Sequence, residues 1–402
     1  MRDETIFSGW CDVNRWPSNS QRQRNIHTPR ELVHSAVTGP VTVGRRSMSA
    51  VITSLASSFG VMLLGLYVSK TGWLSDPQRK GVALLYSSVV FPTMVFKGVA
   101  AIDVRSIDMS LGLVVLLSKA ALALIVVAYG VLTLRGPLGG TGAALANAAA
   151  FAMAASHSFD VTLGVPLAKE LYPSTEAYVY LNQSIQLVII NPVLLMLMDV
   201  GEASSKGSTA SGTQVLRKAM LATMRNPLVV LTAAGIAASQ IFPAGLPTVL
   251  AALATQVSQA GPCLGFLSLG FALGALGGTT RTEAAHAAVL CGAKLALMPW
   301  LYRNVAGLVG CTRSEGFLTF LGALPASASV YSLCLTRQLS PRVVGPLVPT
   351  SMLLSVVLAL APLFPGAAGA RVAELTLGAT ASASVLALGF LAISSPSRTK
   401  VD

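Results

Sequence analysis

Charge is scarce in this sequence. Only 11% of its 402 residues are Asp, Glu, Lys or Arg, against roughly 25% in a soluble domain. That shortage argues against a water-soluble fold, because 53% of the chain is hydrophobic and too few polar residues remain to cover it. Cysteine is sparse as well. Cys11, Cys263, Cys291, Cys311 and Cys334 are odd in number and lack paired spacing, which argues against a disulfide scaffold and a zinc framework. Aromatics make up 6% and are not interleaved with the basic residues. The net charge of +12 therefore builds no nucleic-acid surface, and anionic lipid headgroups are the fitting counter-charge. Catalytic patterns are missing too. There is no nucleophile triad and no metal-binding helix motif, and "RGPLGGTG" (135–142) lacks the Lys-Ser/Thr ending of a phosphate loop. The expectation is a protein that is not an enzyme and carries no cofactor.

Long apolar runs are what the sequence does have. From Ser49 onward they recur at about 49–69, 80–99, 109–134, 142–170 and 175–199, each long enough to cross a bilayer as a helix. A Ser/Gly-rich linker follows at 200–218, then runs at 219–241, 247–276, 283–303, 316–338 and 342–364, and an eleventh at 371–393. Residues 1–48 are polar and Arg-rich and read as a disordered or targeting tail. The fold class expected is an all-α, multi-pass membrane protein of ten helices plus an extra one.

The linker divides the ten spans five and five, which suggests a duplication (49–199 and 219–364). Lys119 in "LLSKAALAL" and Lys294 in "CGAKLALMP" occupy matching third and eighth spans. The fourth span carries helix breakers at Gly164 and Pro166, and the ninth carries Pro325 in "FLGALPASASVYS". A five-span repeat has odd parity, so its second copy is inverted in the membrane. The Lys and Arg of the connecting loops then fall mainly on the side shared by the 70–80 loop and the linker, which reads as cytosolic.

With the spans placed, "FPTMVFK" (91–97), "LLSKA" (116–120), "SFDVTLGVP" (158–166), "YVYLNQSIQLVIINP" (178–192), "RNPLVV" (225–230) and "AKLALMP" (293–299) resemble the auxin efflux carrier/PIN-like membrane transport family. The nearest likeness is to the transporter-like domain of the lysosomal cholesterol-sensing receptor family, over residues 49–395 in order. The resemblance implies ten helices in an inverted five-plus-five arrangement whose fourth and ninth helices unwind and cross. The receptor relatives carry Ser-Asn-Asp at the crossing, whereas this chain reads Ser158-Phe159-Asp160.

Asp160 is the sharpest single signal. A carboxylate in hydrocarbon costs about 2.5–3.5 kcal/mol on insertion scales unless it faces a cavity or a partner. A binding site and a cap for a broken helix both explain it. His157 and Ser158 stand beside it as donors, and either is also an ordinary packing residue. Ser327 takes the corresponding place after Pro325. Asn182 and Gln186 share one face of the fifth span, as cavity lining or as interhelical glue. Lys119 and Lys294 read as charge braces for the crossing rather than substrate contacts.

Two functions follow from the resemblance. The first is a secondary transporter that moves a small, anionic organic solute, auxin-like or another organic acid, by alternating access. The alternative is a sterol- or lipid-sensing protein that keeps the transporter fold without transport. Membrane lipids are partners in both, a sterol is a candidate ligand, and a homodimer is left open. Sterol-type patterns occur at "LGLYVSK" (64–70) and "VAYGVLTLR" (127–135), but such patterns are cheap in an apolar chain. A plasma, endoplasmic-reticulum or lysosomal/vacuolar membrane is compatible with all of this.

Overall fold

A computed structural model describes residues 45–102, 108–206, 213–214, 217, 220–221, 224–274, 278–361 and 367–394. The amino-terminal tail up to residue 44 and much of the 207–223 stretch lie outside the described residues. What is described is helical throughout, with a single isolated β-bridge. In chain order the helices are α1 (Arg45–Thr71), α2 (Asp76–Ala100), α3 (Met109–Leu134), α4 (Thr141–Ser156), α5 (160–171) and α6 (Glu176–Ser205). They continue as α7 (Pro227–Ile241), α8 (Thr248–Gly274), α9 (Arg281–Val309), α10 (Glu315–Gly322), α11 (Ala328–Arg337), α12 (Pro341–Leu360) and α13 (Ala367–Ser394). α6 extends through residues 200–205, the first part of the segment read above as linker.

Seven of these elements are long and apolar enough to cross a membrane: α2, α3, α6, α8, α9, α12 and the 371–394 part of α13. α1, α4 and α7 hold shorter apolar helices. Large side chains such as Leu63, Leu124, Leu132, Val249, Leu308, Leu386 and Ile393 are exposed on the outside. In water that outer surface would be a liability, whereas in a bilayer it is the expected lipid-facing coat. The chain is a multi-pass, helical membrane protein in contact with lipid.

Local chemistry sets the helix ends. The Asp108 carboxylate accepts the Ser110 N–H at 3.0 Å and caps α3. Thr280 and Glu283 form a capping box at the start of α9, and Asn226 caps α7 just before Pro227.

Proline is used in a repeated way. Pro92, Pro166, Pro192 and Pro299 each follow a π-turn, at Tyr86–Val90, Asp160–Gly164, Gln186–Ile190 and Ala293–Leu297. A proline has no N–H and its ring presses on the carbonyl four residues back. In each case the residue before the proline donates instead to the carbonyl five residues earlier, for example Val165 to Asp160. The widened turn takes up the proline without a break.

Small residues set the close helix contacts. α1 and α8 approach through Gly65 and Gly270, where a β-carbon on Gly270 would lie 2.1 Å from the Met62 carbonyl oxygen. Without a hydrophobic drive between helices in lipid, such backbone proximity supplies the packing energy. Gly270→Ala should therefore destabilise the protein by about 1–3 kcal/mol, read as a lower melting temperature in detergent. Gly60→Ala, with nothing within 4 Å, should leave melting unchanged or raise it. Equal melting of the two variants would show that the α1–α8 contact is not tight.

α4, "TGAALANAAAFAMAAS", is buried almost all round. It packs on α3 and α6 and leads the chain into the middle of the bundle.

Candidate functional site

Two helices are interrupted there, and the interruptions meet. α4 stops at Ser156, and the next three residues are non-helical before α5 begins at Asp160. α10 stops at Gly322 and α11 begins at Ala328. Ser158 and Ala326 form an antiparallel bridge, in which Phe159 N–H donates to the Pro325 carbonyl at 2.9 Å and Ser327 N–H to the His157 carbonyl at 3.2 Å. Non-helical backbone at this depth persists because the two segments satisfy each other.

The position of the first break corrects the sequence reading. Gly164 and Pro166 are helical and lie beyond it. The π-turn accommodates Pro166, and a β-carbon on Gly164 would meet the Leu324 side chain at 2.9 Å. Gly164 thus serves the close approach of the two broken segments rather than the interruption itself. Pro325 does lie in the second break, where its carbonyl accepts from Phe159.

Each half-helix end carries unpaired backbone and a partial charge. Lys119 on α3 donates to the Ser156 carbonyl at the negative end of α4, at 2.9 Å, and to Gln186 Oε1 at 2.7 Å. Asp160 is the first residue of α5, at its positive end. Lys294 on α9 donates to Ser158 Oγ at 2.5 Å. Both lysines are wholly buried and Asp160 is 1% exposed. The three ionisable groups stand around the same break, at Ser156, Ser158 and the start of α5, and form one buried cluster.

α6 holds the cluster from the side. Asn182 Nδ2 donates to Asp160 Oδ1 at 3.0 Å, and Tyr302 OH donates to Asn182 Oδ1 at 2.6 Å. Gln186 Nε2 donates to Asn191 Oδ1 at 2.8 Å. The i,i+4 pair Asn182 and Gln186 therefore serves the two charges on one helix face. His157 meets Gln183 through a long contact of 3.4 Å. Asp160 Oδ2, His157 Nδ1, Gln183 Oε1, Ser156 Oγ and Ser118 Oγ are buried without hydrogen-bond partners among the described residues.

A small cavity opens at the crossing, lined by Tyr86, Phe91, Ser158, Phe159, Asp160, Val161, Thr162, Ser327 and Ser329. It has room for about one water molecule. Of the residues singled out from the sequence, Ser158, Asp160 and Ser327 line it. His157, Asn182, Gln186, Lys119 and Lys294 form the layer around it, and Gly164, Pro166 and Pro325 shape the backbone.

Sequence reasoning missed Tyr302, Tyr86 with its 2.9 Å bond to Thr162, and Ser351, whose Oγ accepts the Ala326 N–H at 3.1 Å. Tyr302 lies about two turns beyond Lys294 on α9, a spacing that could have flagged it. Ser351 carried no such signal.

No family model matches this chain, so the transporter-family likeness read from the sequence gains no support there. The chain is 25% identical over 300 residues to the mouse lysosomal cholesterol signaling protein. The match takes in 71% of this chain and 34% of that protein, so the chain corresponds to about a third of the relative's length.

Proposed function

We propose that this chain is a sterol- or lipid-sensing membrane protein that binds its ligand at the helix crossing. One observation carries the reading. The cavity combines aromatic and aliphatic walls (Tyr86, Phe91, Phe159, Val161) with a carboxylate whose Oδ2 lacks a partner among the described residues. That combination suits an amphiphile with a rigid apolar body and one hydroxyl to donate to Asp160. Similarity to a cholesterol signaling protein supports the same class. The cavity holds about one water in the present state, so a sterol enters only if the bundle moves to a second state. A ligand shifts such an equilibrium by its differential affinity, and that shift is the signal.

The frame we propose is an inverted five-plus-five repeat. Its support is the pairing of two broken helices, together with two lysines from matching helices, α3 and α9, that both hold the first break, at Ser156 and Ser158. We assign the chain binding rather than catalysis, and a lysosomal or vacuolar membrane as its first candidate location.

The test is photolabelling of the purified full chain with a photoreactive, clickable sterol. Saturable labelling near the crossing that excess cholesterol competes away is the expected result. Labelling that cholesterol does not compete, or that maps only to the outer faces of α8 and α13, would remove the proposal.

A second reading, transport of a small organic anion, is favoured by the charge count. Two lysines surround one aspartate, so with all three ionised the crossing keeps an excess positive charge. Saturable uptake of an organic acid into proteoliposomes would move the assignment to transport.

A further inference from the structure

α6 is held at both of its ends by arginines that bracket the second broken helix. Arg313 lies just before α10, over the Tyr178 ring at 4.2 Å from its centre. It also donates to the Tyr178 hydroxyl and lies 3.5 Å from Asp108 Oδ2, an ionic contact rather than a hydrogen bond. Arg337 is the last residue of α11. It pairs with Asp199 at 2.5 Å and with Glu202 at 3.7 Å. Tyr178 and Asp199 lie roughly 30 Å apart along α6, about the thickness of the hydrocarbon layer. All of these charged groups are half-buried, between 24% and 34% exposed, where ion pairs are screened less than on an open surface.

Other contacts sit beside each arginine. Next to Arg337, Ser340 Oγ donates to Asn147 Oδ1 at 2.7 Å and ties the start of α12 to α4. Near Arg313, Arg303 pairs with Glu315 at 2.6 Å and ties the end of α9 to α10. Between the two ends lies the crossing, with Asn182 and Gln186 of α6 bound to Asp160 and Lys119. The cavity there is closed to all but about one water.

We infer that Arg313 and Arg337 are two latches that close the crossing from opposite faces of the membrane. Opening either face separates α6 from one end of the α10–α11 pair, while the other latch holds its end and acts as the pivot. Releasing Arg337 admits solvent from the α11 side, and releasing Arg313 admits it from the α10 side. The device is independent of the ligand and does not rest on the sterol reading.

The experiment uses the full chain with its native cysteines replaced and Ser329→Cys as a reporter lining the cavity. Gln338→Cys, in a separate sample, marks the side on which α11 ends. In oriented proteoliposomes a membrane-impermeant thiol reagent should label the reporter slowly from both sides. Arg337→Ala should raise labelling about tenfold from the Gln338 side only, the effect of removing about 1.4 kcal/mol from the closed state. Arg313→Ala should do the same from the opposite side only. The exchange of Arg337→Asp with Asp199→Arg should restore slow labelling, which a general loss of folding would not do. Unchanged rates in both variants, faster labelling from the same side in both, or no rescue by the exchange would overturn the inference.

Discussion

Asp160→Asn is expected to abolish competable sterol labelling and to lower stability as well. The amide keeps the size of the carboxylate, and its oxygen still accepts from Asn182. At the position of Oδ2, however, a donor replaces an acceptor that has no partner among the described residues. A hydrogen bond to a charged group contributes about 1.5–3 kcal/mol, so affinity should fall about ten- to a hundredfold. Stability should fall because Lys119 and Lys294 both act on the carboxylate and would lose their counter-charge inside the protein.

A double variant separates the two effects. Asp160→Asn with Lys294→Met removes one charge of each sign and returns the crossing to its original net charge. It should regain much of the lost melting temperature while labelling stays absent. If labelling returns together with stability, Asp160 is a helix-end cap and charge partner, and the ligand lies elsewhere. If Asp160→Asn alone retains full labelling, the cavity is not the site.

The difference between sequence and structure at this point has a physical origin. The intramembrane ionisable residues Asp160, Lys119 and Lys294 were legible because each is costly in hydrocarbon and so demands a partner. The helical membrane class was legible from the apolar runs. The location of the first break was not. Gly164 and Pro166 look like local breakers, yet the chain leaves the helix at His157, where no breaker stands. What opens the helix there is pairing with residues 325–327, a contact across more than 160 positions that no local pattern encodes. In the same way, the four π-turns show that a proline in such a helix marks a widened turn as readily as an end. Ser351 and Tyr302 act through tertiary contact alone; spacing from Lys294 hinted at Tyr302, and nothing local pointed to Ser351.

Lys119→Met should be the most destabilising substitution at the crossing. Methionine matches the length of the stem and leaves the packing nearly full. The loss is therefore electrostatic and hydrogen-bonded rather than a cavity. It strands the Ser156 carbonyl at the end of α4 and Gln186 Oε1, and it removes one of the two cations that act on Asp160. Breaking a buried charge network by deleting one member costs about 3–5 kcal/mol, a large share of the 5–15 kcal/mol that holds most domains together. Lys294→Met deletes a single bond, to Ser158 Oγ, and should cost less. The two lysines share Asp160, so the double variant should not equal the sum of the single losses, as expected for residues in one network. Thermal melts of the four proteins in one detergent would read this as a double-mutant cycle. Additive losses, or a Lys119→Met protein that melts like the parent, would mean that the lysines brace separate contacts and that the crossing has no shared charge cluster.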